Sequence, residues 1–367
     1  MRISRLLVTW VVTGLALAAS VGLAPAAWAT YDSAPVGPTG WVPDGPVLAV
    51  AVSGDQVFVG GSFTGGLAAL DASTGALQWT ANANGMVRAL AVSSDGSHVI
   101  AGGAFTAVGG ATHRRLASLQ VADGTVEPRW RASVGGTVRD LVVRGDVAYF
   151  GGRFQAHNGI QQRGLGAVSV TTGRAVTGFT ASADANVFAL ATDGARLYLG
   201  GNFTAVNGLL RNSLASVDLD THALHAWNPR RACTGCNRYW DLLADGTTVY
   251  AASRNGAAVS AFDPATGAQR WRVAANSDGQ ALAMADGLLY VGGHFTWIRN
   301  DAEPRIILAA LNPSTGAVDP DFRPRFVTTY PGIWALAATS TRLYAGGYFT
   351  GAGASPPRRF PYLAMFG

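Results

Sequence analysis

A short phrase, Gly-Gly-x-Phe, returns along the whole chain and constrains its fold more than any other feature. It is clear in six segments: VFVGGSFT ending at Thr64, VIAGGAFT at Thr106, AYFGGRFQ at Gln155, LYLGGNFT at Thr204, LYVGGHFT at Thr296 and LYAGGYFT at Thr350. A degenerate seventh copy, VYAASRNG (249–256), has Ala252 at the place of the first glycine. With that copy included, the phrase recurs every 40 to 54 residues, a period that is typical of propeller blades.

Each copy reads as a set of short strands. An alternating run such as VRALAV (87–92) precedes the glycines, and a run such as LASVDL (214–219) follows them. A turn such as DASTG (71–75) comes next, in which aspartate bonds the backbone and glycine takes a positive φ. The last strand ends in an aromatic residue in six units: Trp79, Trp130, Phe179, Trp227, Trp271 and Phe322. The pattern predicts an all-β fold, a seven-bladed β-propeller of four-stranded antiparallel blades.

The ends of the chain predict how the ring closes. The seventh unit stops after its third strand, and the fragment GWVP (40–43) has the pattern of a fourth strand with its aromatic residue. We expect this N-terminal strand to complete the last blade, which leaves no open sheet edge. Residues 30–367 would then form a single propeller domain. A pair of β-sandwiches is the rival, and it leaves the sevenfold count unexplained.

The first 29 residues have the pattern of a secretory signal peptide. Arg2 and Arg5 precede an apolar stretch, and Ala27-Trp28-Ala29 fits a small-x-small cleavage site. The rival is a membrane anchor, but the cleavage site favours export, so we expect a secreted, extracellular protein without a membrane span. Beyond the leader, 25 basic residues stand against 22 acidic ones. This balance is too mild to predict a nucleic-acid partner.

The run LYLGGNFTAVNGLLRNSLASVDLDT (197–221) resembles the delta-60 repeat, which occurs in bacterial secreted and surface propellers. The resemblance extends over residues 46–366. The stretches LAALDASTGALQW (67–79) and VSAFDPATGAQRW (259–271) look, less closely, like quinoprotein-type propeller repeats, and kelch repeats share the double glycine. These resemblances imply a β-propeller but no particular chemistry, since propellers serve many functions.

One column of residues differs between the units, namely the second residue of each innermost strand: Leu48, Arg88, Arg139, Phe188, Trp240, Gln280 and Trp334. In a propeller this set would surround the channel entrance. Arginines and tryptophans there would hold a carboxylated or sugar-like ligand by bidentate hydrogen bonds and stacking. The alternative is that these side chains plug the channel. The candidate ligand-binding residues are Arg88, Arg139, Phe188, Trp240, Gln280, Trp334 and the neighbouring Arg238.

The longest loop between units, NPRRACTGCNRYWDL (228–242), contains both cysteines of the chain. In an exported protein Cys233 and Cys236 predict a disulfide. A catalytic dithiol is the alternative, although no thioredoxin-like βαβ pattern surrounds the pair. Further ligands for zinc are missing nearby, and we expect neither a metal nor a cofactor.

Asp140 and Asp241 lie on innermost strands and are the candidates for a catalytic carboxylate pair. Alternatively, they cap backbone groups or pair with Arg139 and Arg88. We therefore expect a secreted, monomeric, non-enzymatic scaffold that binds an extracellular protein, glycan or cell-surface ligand through its loop face. The alternative is an extracellular enzyme with its site at the channel mouth, either a quinoprotein-like oxidoreductase or a lyase or hydrolase that acts on an acidic sugar.

Overall fold

A computed structural model describes residues 31–229, 238–254, 258–298, 304–327, 332–353 and 360–367. The predicted leader and the predicted disulfide between Cys233 and Cys236 lie outside these ranges.

In chain order, the first fourteen strands are β1 (Val47–Ser53), β2 (Gln56–Gly61), β3 (Gly66–Asp71), β4 (Leu77–Asn82), β5 (Val87–Val92), β6 (His98–Gly103), β7 (Ala107–Val108), β8 (Ala111–Thr112), β9 (Leu116–Gln120), β10 (Thr137–Arg144), β11 (Val147–Arg153), β12 (Ala156–His157), β13 (Ile160–Gln161) and β14 (Leu165–Ser169). The others are β15 (Val187–Thr192), β16 (Arg196–Gly201), β17 (Ala205–Val206), β18 (Leu209–Leu210), β19 (Leu214–Asp218), β20 (Tyr239–Ala244), β21 (Val249–Ser253), β22 (Val259–Phe262), β23 (Gln269–Val273), β24 (Gly279–Ala285), β25 (Leu288–Gly293), β26 (Leu308–Leu311), β27 (Phe326–Val327), β28 (Gly332–Ala338), β29 (Leu343–Tyr348), β30 (Gly351–Ala352) and β31 (Leu363–Phe366).

Within the described ranges these strands form seven successive antiparallel sheets, called sheets 1 to 7 below: β1-β2-β3-β4, β5-β6-β9, β10-β11-β14, β15-β16-β19, β20-β21-β22-β23, β24-β25-β26 and β28-β29-β31. Two-stranded ribbons accompany them: β7-β8, β12-β13, β17-β18 and β27-β30. The predicted all-β class is confirmed, and no helix in the described part of the chain is long and apolar enough to cross a membrane.

The sheets pack face to face through their middle strands. In sheet 1, residues 57–61 and 66–70 are all buried, and the corresponding strands of the other sheets are buried in the same way. A strand that is covered on both faces reads as an unbroken apolar run, which explains segments such as VFV and LYL before the glycines. The first strand of each sheet contacts the first strand of the next, and β1 also contacts β28.

The predicted fourth strand is a continuous strand only in sheets 1 and 5 of the described chain. Elsewhere a single bridge replaces it, as between Leu119 and Val126 or between Leu311 and Val318. Pro128 and Pro320 follow these two bridges by two residues. Proline has no N–H to donate to the ladder, but the bridges Val168–Ala175 and Val217–Leu224 end in the same way with Thr177 and Ala226 at that position, so proline is not the general cause.

The aromatic residues predicted at the end of each unit join one sheet to the turn of the next. Four tryptophan Nε1 groups donate to backbone oxygens of the following sheet at 2.8 to 2.9 Å: Trp79 to Val121, Trp130 to Val170, Trp227 to Asp263 and Trp271 to Pro313. The ring of Trp130 lies on the turn glycine Gly173, where a methyl group would stand 2.8 Å from Cδ2. The turn glycine therefore serves two purposes, a positive φ of 68° and a bare surface for the indole.

The bare backbone of the paired glycines predicts contact with a large side chain of an adjacent strand or sheet, such as Trp227. At Gly200 a methyl group would stand 3.1 Å from Cβ of Tyr239 in the next sheet, so the neighbouring sheet does supply the contact, but Trp227 does not. A methyl group on Gly60 would stand 2.5 Å from Cγ1 of Val87, which begins β5 of the next sheet. A methyl group on the second glycine, Gly61, would collide with the backbone oxygen of Pro46. The glycines thus allow a β-branched residue and a carbonyl group to approach the strand closely.

The first glycine meets a β-branched residue of the next sheet at several other boundaries. The equivalent pairs include Gly102 with Val138, Gly151 with Val187 and Gly292 with Ile333. In sheet 5 the glycine position holds Ala252, and the first residue of β24 in sheet 6 is Gly279. A methyl group on Gly279 would collide with the backbone oxygen of Ala258.

The N-terminal segment lies between the last sheet and the first, but its anchoring residues differ from those predicted. Val36 exchanges two backbone hydrogen bonds with Met365 of β31, at 2.8 and 3.1 Å. Pro38 covers the turn glycine Gly75 of sheet 1, a role that tryptophan has elsewhere. Trp41, the predicted aromatic residue, packs edge-on against Phe63 at 5.6 Å. The residue that pairs with β31 is therefore Val36, five positions before the predicted Trp41.

Candidate functional site

Each first strand has a β-bulge at its second or third residue. In sheet 3, Val138 pairs with Gly152 and Asp140 pairs with Gly151, so Arg139 is the extra residue. The same shift occurs in all seven sheets of the described chain, and the extra residues are Leu48, Arg88, Arg139, Phe188, Trp240, Gln280 and Trp334. A bulge breaks the alternation of a strand and can turn one side chain in a new direction.

The structure brings these seven side chains together, and we call the opening that they line the channel mouth, or mouth. They line one cavity of about 60 Å³ and are also part of the lining of an adjoining cavity of about 190 Å³. The larger cavity extends along the first strands to Asp140, Asp241 and Leu336. Open space therefore remains between the side chains. The first strands begin, and the second strands end, at the same end of the sheets; we call this end the loop face.

Arginine and aromatic side chains form a connected cluster on one side of the mouth. The guanidinium carbon of Arg139 lies 5.6 Å from the ring centre of Phe188. Arg238 lies 5.5 Å from the same ring and 5.2 Å from that of Trp240. The two rings are themselves 5.2 Å apart and inclined by 32°. These distances permit cation–π attraction, which holds the guanidinium groups in place.

Within the described residues no ion pair joins an arginine of this cluster to a carboxylate, although Trp240 Nε1 donates to Asp278 Oδ2 at 3.4 Å. The ion pairs found in the described ranges lie elsewhere, at His98–Glu127, Arg144–Asp220 and Arg270–Asp263. The pKa of Arg139 is lowered to about 10, first by burial and then by the charges of Arg88, Arg153 and Arg238. Burial also lowers the pKa of Arg88. Arg139 is still charged near neutral pH, and the arginines around it make the mouth a region of concentrated positive charge.

Two other polar atoms of the mouth have no hydrogen-bond partner among the described residues. They are Oε1 of Gln280, a residue only 5% exposed, and Nε1 of Trp334. A buried polar atom without a partner is costly, and such atoms are rare in folded proteins. One is an acceptor and the other a donor, so a ligand with hydroxyl groups would satisfy both.

Asp140 and Asp241 join consecutive sheets through their carboxylates. Asp140 accepts a hydrogen bond from its neighbour Leu141 N at 2.8 Å and one from Leu190 N, in the next sheet, at 2.6 Å. Asp241 repeats the arrangement with Leu242 N at 2.8 Å and Leu282 N at 2.7 Å. These bonds match the capping alternative and account for both residues without catalysis.

Both aspartates titrate abnormally. Burial raises the pKa of Asp140 to about 7, although the two amide bonds oppose the shift. Burial, and next the charge of Asp140, raises the pKa of Asp241 well above its usual range. A carboxylate whose folded pKa is raised stabilises the fold fully only below its unfolded pKa, near 4, and that stability is lost as the pH rises through the folded pKa.

We expect the Asp140→Asn variant to gain stability relative to wild type as the pH rises from about 4 to about 7. The difference in unfolding free energy should grow by up to about 4 kcal/mol, because each pKa unit corresponds to about 1.4 kcal/mol. Burial lowers the pKa of His113, His157 and His294. The contribution of these histidines to the unfolding free energy therefore rises with pH, and it does so equally in both proteins. Urea unfolding of both proteins at several pH values measures the difference, and a difference independent of pH would contradict the expectation.

The sequence analysis did not single out a second position at the mouth that varies between the units. It is the x of Gly-Gly-x-Phe: Ser62, Ala104, Arg153, Asn202, Arg254 (in the degenerate copy), His294 and Tyr348. Arg153 acts electrostatically on Arg139, Tyr348 acts on Arg88, and the rings of His294 and Trp334 lie 5.2 Å apart. The sequence did contain a signal, because the x residue varies between units while the glycines and the phenylalanine beside it recur in six of them.

The comparisons with known proteins agree with this architecture. A quinoprotein-like family, described as outer membrane protein assembly factor BamB, matches residues 41–221 and 216–319. No curated protein matches the chain. Among solved structures, the WD40 β-propeller domain of Doa1 is similar with a TM-score of 0.61 and 11% identity, over 92% of this chain and 96% of that one. The computationally designed Ika8 protein is similar with a TM-score of 0.53 and 14% identity, over 90% of this chain and 98% of that one. The predicted β-propeller fold is confirmed, whereas the delta-60 relationship stays a prediction.

Proposed function

This chain belongs to the family described as outer membrane protein assembly factor BamB, and we propose that it is a secreted, non-enzymatic scaffold that binds a protein, glycan or cell-surface ligand through its loop face. The observation that carries the proposal is the convergence of seven bulged side chains, rich in arginine and aromatic residues, on one cavity. The family description, an assembly factor, also suggests a role in binding partners.

A closed seven-bladed ring is part of the proposal. Seven sheets follow one another in the described chain, and their first strands contact in succession, including β28 with β1. The bonds between Val36 and Met365 support an N-terminal segment that completes the seventh blade. Closure of this kind would give the loop face a rigid frame.

Exposed apolar side chains also lie in two of the two-stranded ribbons. Leu209 and Leu210, in the ribbon β17-β18, are 57% and 65% exposed, and Ile160 in the ribbon β12-β13 is 44% exposed. Both ribbons follow the ends of second strands, in the neighbouring sheets 3 and 4. Apolar groups grouped on one face are a common feature of protein interaction sites. We propose that they extend the contact area of a macromolecular partner.

Export of the protein and its action as a monomer belong to the same proposal. The leader pattern of residues 1–29 and the expected disulfide between Cys233 and Cys236 support an extracellular location. The enzymatic alternative is weaker, because the carboxylates of Asp140 and Asp241 already bind backbone amides of two sheets each.

A binding screen tests the proposal. We expect the mature chain, residues 30–367, to bind at least one member of a glycan array or one extracellular protein of the producing cell. Arg139→Ala and Trp240→Ala should each weaken that binding at least tenfold, because each removes a side chain of the mouth. Arg144→Ala is the matched control, since Arg144 ends the same strand and pairs with Asp220 away from the cavity. Binding that is equally strong in both mouth variants would overturn the site assignment.

A further inference from the structure

The space at the mouth is large enough for a small ring. The cavity beneath the seven bulged side chains has a volume of about 190 Å³. An internal cavity of about 150 Å³ is sufficient to hold benzene in another protein. A single six-membered ring therefore fits the available volume, whereas a long polymer could enter only by its end.

The arginine charges at the mouth favour binding of an anion with a planar acid group. Arg88, Arg139 and Arg238 are brought together without a carboxylate partner in the described ranges. Charges that are partly buried and of like sign repel one another, and an anionic ligand would relieve this repulsion. A guanidinium group matches the two oxygens of a carboxylate by paired hydrogen bonds.

The remaining lining suits a sugar. Phe188 and Trp240 provide aromatic faces, which pack against the apolar side of a ring. Oε1 of Gln280 and Nε1 of Trp334 supply an unpaired acceptor and an unpaired donor. Hydroxyl groups can satisfy both atoms at once, because a hydroxyl donates and accepts. A bare phosphate could pair with the arginines, but it has no ring to pack against Phe188 and Trp240.

We propose that the channel mouth binds the terminal residue of an acidic glycan, a six-membered sugar ring that carries a carboxylate. The carboxylate pairs with Arg139 and Arg88, the ring packs against Trp240 and Phe188, and its hydroxyl groups reach Gln280 and Trp334. This inference rests on the proposed function and specifies the chemistry of its ligand. Binding is non-covalent, and no bond is made or broken.

Calorimetry with oligosaccharides ending in glucuronate or galacturonate tests the proposal on the mature chain. We expect saturable binding of at least one of them, and at least tenfold weaker binding of its methyl ester, which has the same ring without the charge. Arg139→Ala should weaken binding of the acid at least tenfold, Arg139→Lys should have an intermediate effect, and Arg144→Ala should have none. Thermal unfolding of each variant verifies that it is folded.

Three results would overturn the inference: equal affinity for the acid and its methyl ester, unchanged binding by Arg139→Ala, or inorganic phosphate that competes as strongly as the sugar acid. Failure here is distinguishable from failure of the proposed function. If no acidic sugar binds while another partner depends on Arg139 and Trp240, only the ligand class is wrong. If binding of no ligand is weakened by substitution of the mouth residues, both proposals are wrong.

Discussion

Trp130→Ala is expected to lower the free energy of unfolding by about 3–5 kcal/mol, the usual cost of removing a large buried aromatic side chain. Trp130 is 4% exposed, and its Nε1 donates to Val170 O at 2.8 Å. Its ring also covers Gly173 in the turn of the next sheet. The substitution therefore leaves a cavity, removes a hydrogen bond and separates two sheets at one position.

Trp130→Phe is the matched control for this experiment. It keeps much of the ring but removes the N–H donor, so we expect a loss of about 1–3 kcal/mol, the cost of leaving one buried acceptor without its partner. Urea unfolding followed by fluorescence of the other tryptophans measures both losses. A loss below about 1 kcal/mol in Trp130→Ala would show that the indole does not hold the two sheets together.

Gly60→Ala is expected to lower the unfolding free energy by about 1–3 kcal/mol, the typical cost of adding a methyl group to a filled core. The new methyl group would stand 2.5 Å from Val87 Cγ1, and Val87 is completely buried. The strands carrying the two residues belong to different sheets, so relief requires a shift of one sheet relative to the other.

The double variant Gly60→Ala with Val87→Ala separates this collision from a general weakness of β2. Val87→Ala alone creates a cavity, and Gly60→Ala alone creates a clash, but together the new methyl group enters the vacated space. The combined loss should be smaller than the sum of the single losses by at least about 1 kcal/mol, a coupling typical of residues in contact. Strict additivity would contradict the packing described.

The repeat period and the variable second column were sufficient to predict which side chains meet at the mouth. The bulge that places them there could not be predicted, because Arg139 or Gln280 carries no local signal such as a glycine with positive φ. Alternation alone would assign the first and second residues of a strand to opposite faces. The extra residue changes that relation, and it is visible only in the pairing of Val138 and Asp140 with β11.

Other differences from the predictions concern the fourth strands and the paired glycines. The fourth strand was predicted in every unit because the hairpin signal and aromatic residue recur, yet in sheets 2, 3, 4 and 6 the ladder ends after one bridge, with or without a proline nearby. The contact of the paired glycines was assigned to a large side chain such as Trp227 because bare backbone commonly faces a large ring. The ring instead covers the turn glycine, as Trp130 does on Gly173. Which neighbour meets a glycine depends on the spacing of sheets, and a single repeat does not contain that information.

The bulges have a consequence for how new specificities can arise on this scaffold. Each of the seven side chains at the mouth is the extra residue of its strand, so it has no direct partner in the ladder. A substitution there alters the mouth without disturbing strand register. The seven positions, one per repeat, can therefore vary independently of one another. Selection in nature, or in a laboratory library that varies these seven codons, can exchange one ligand for another while the framework stays constant.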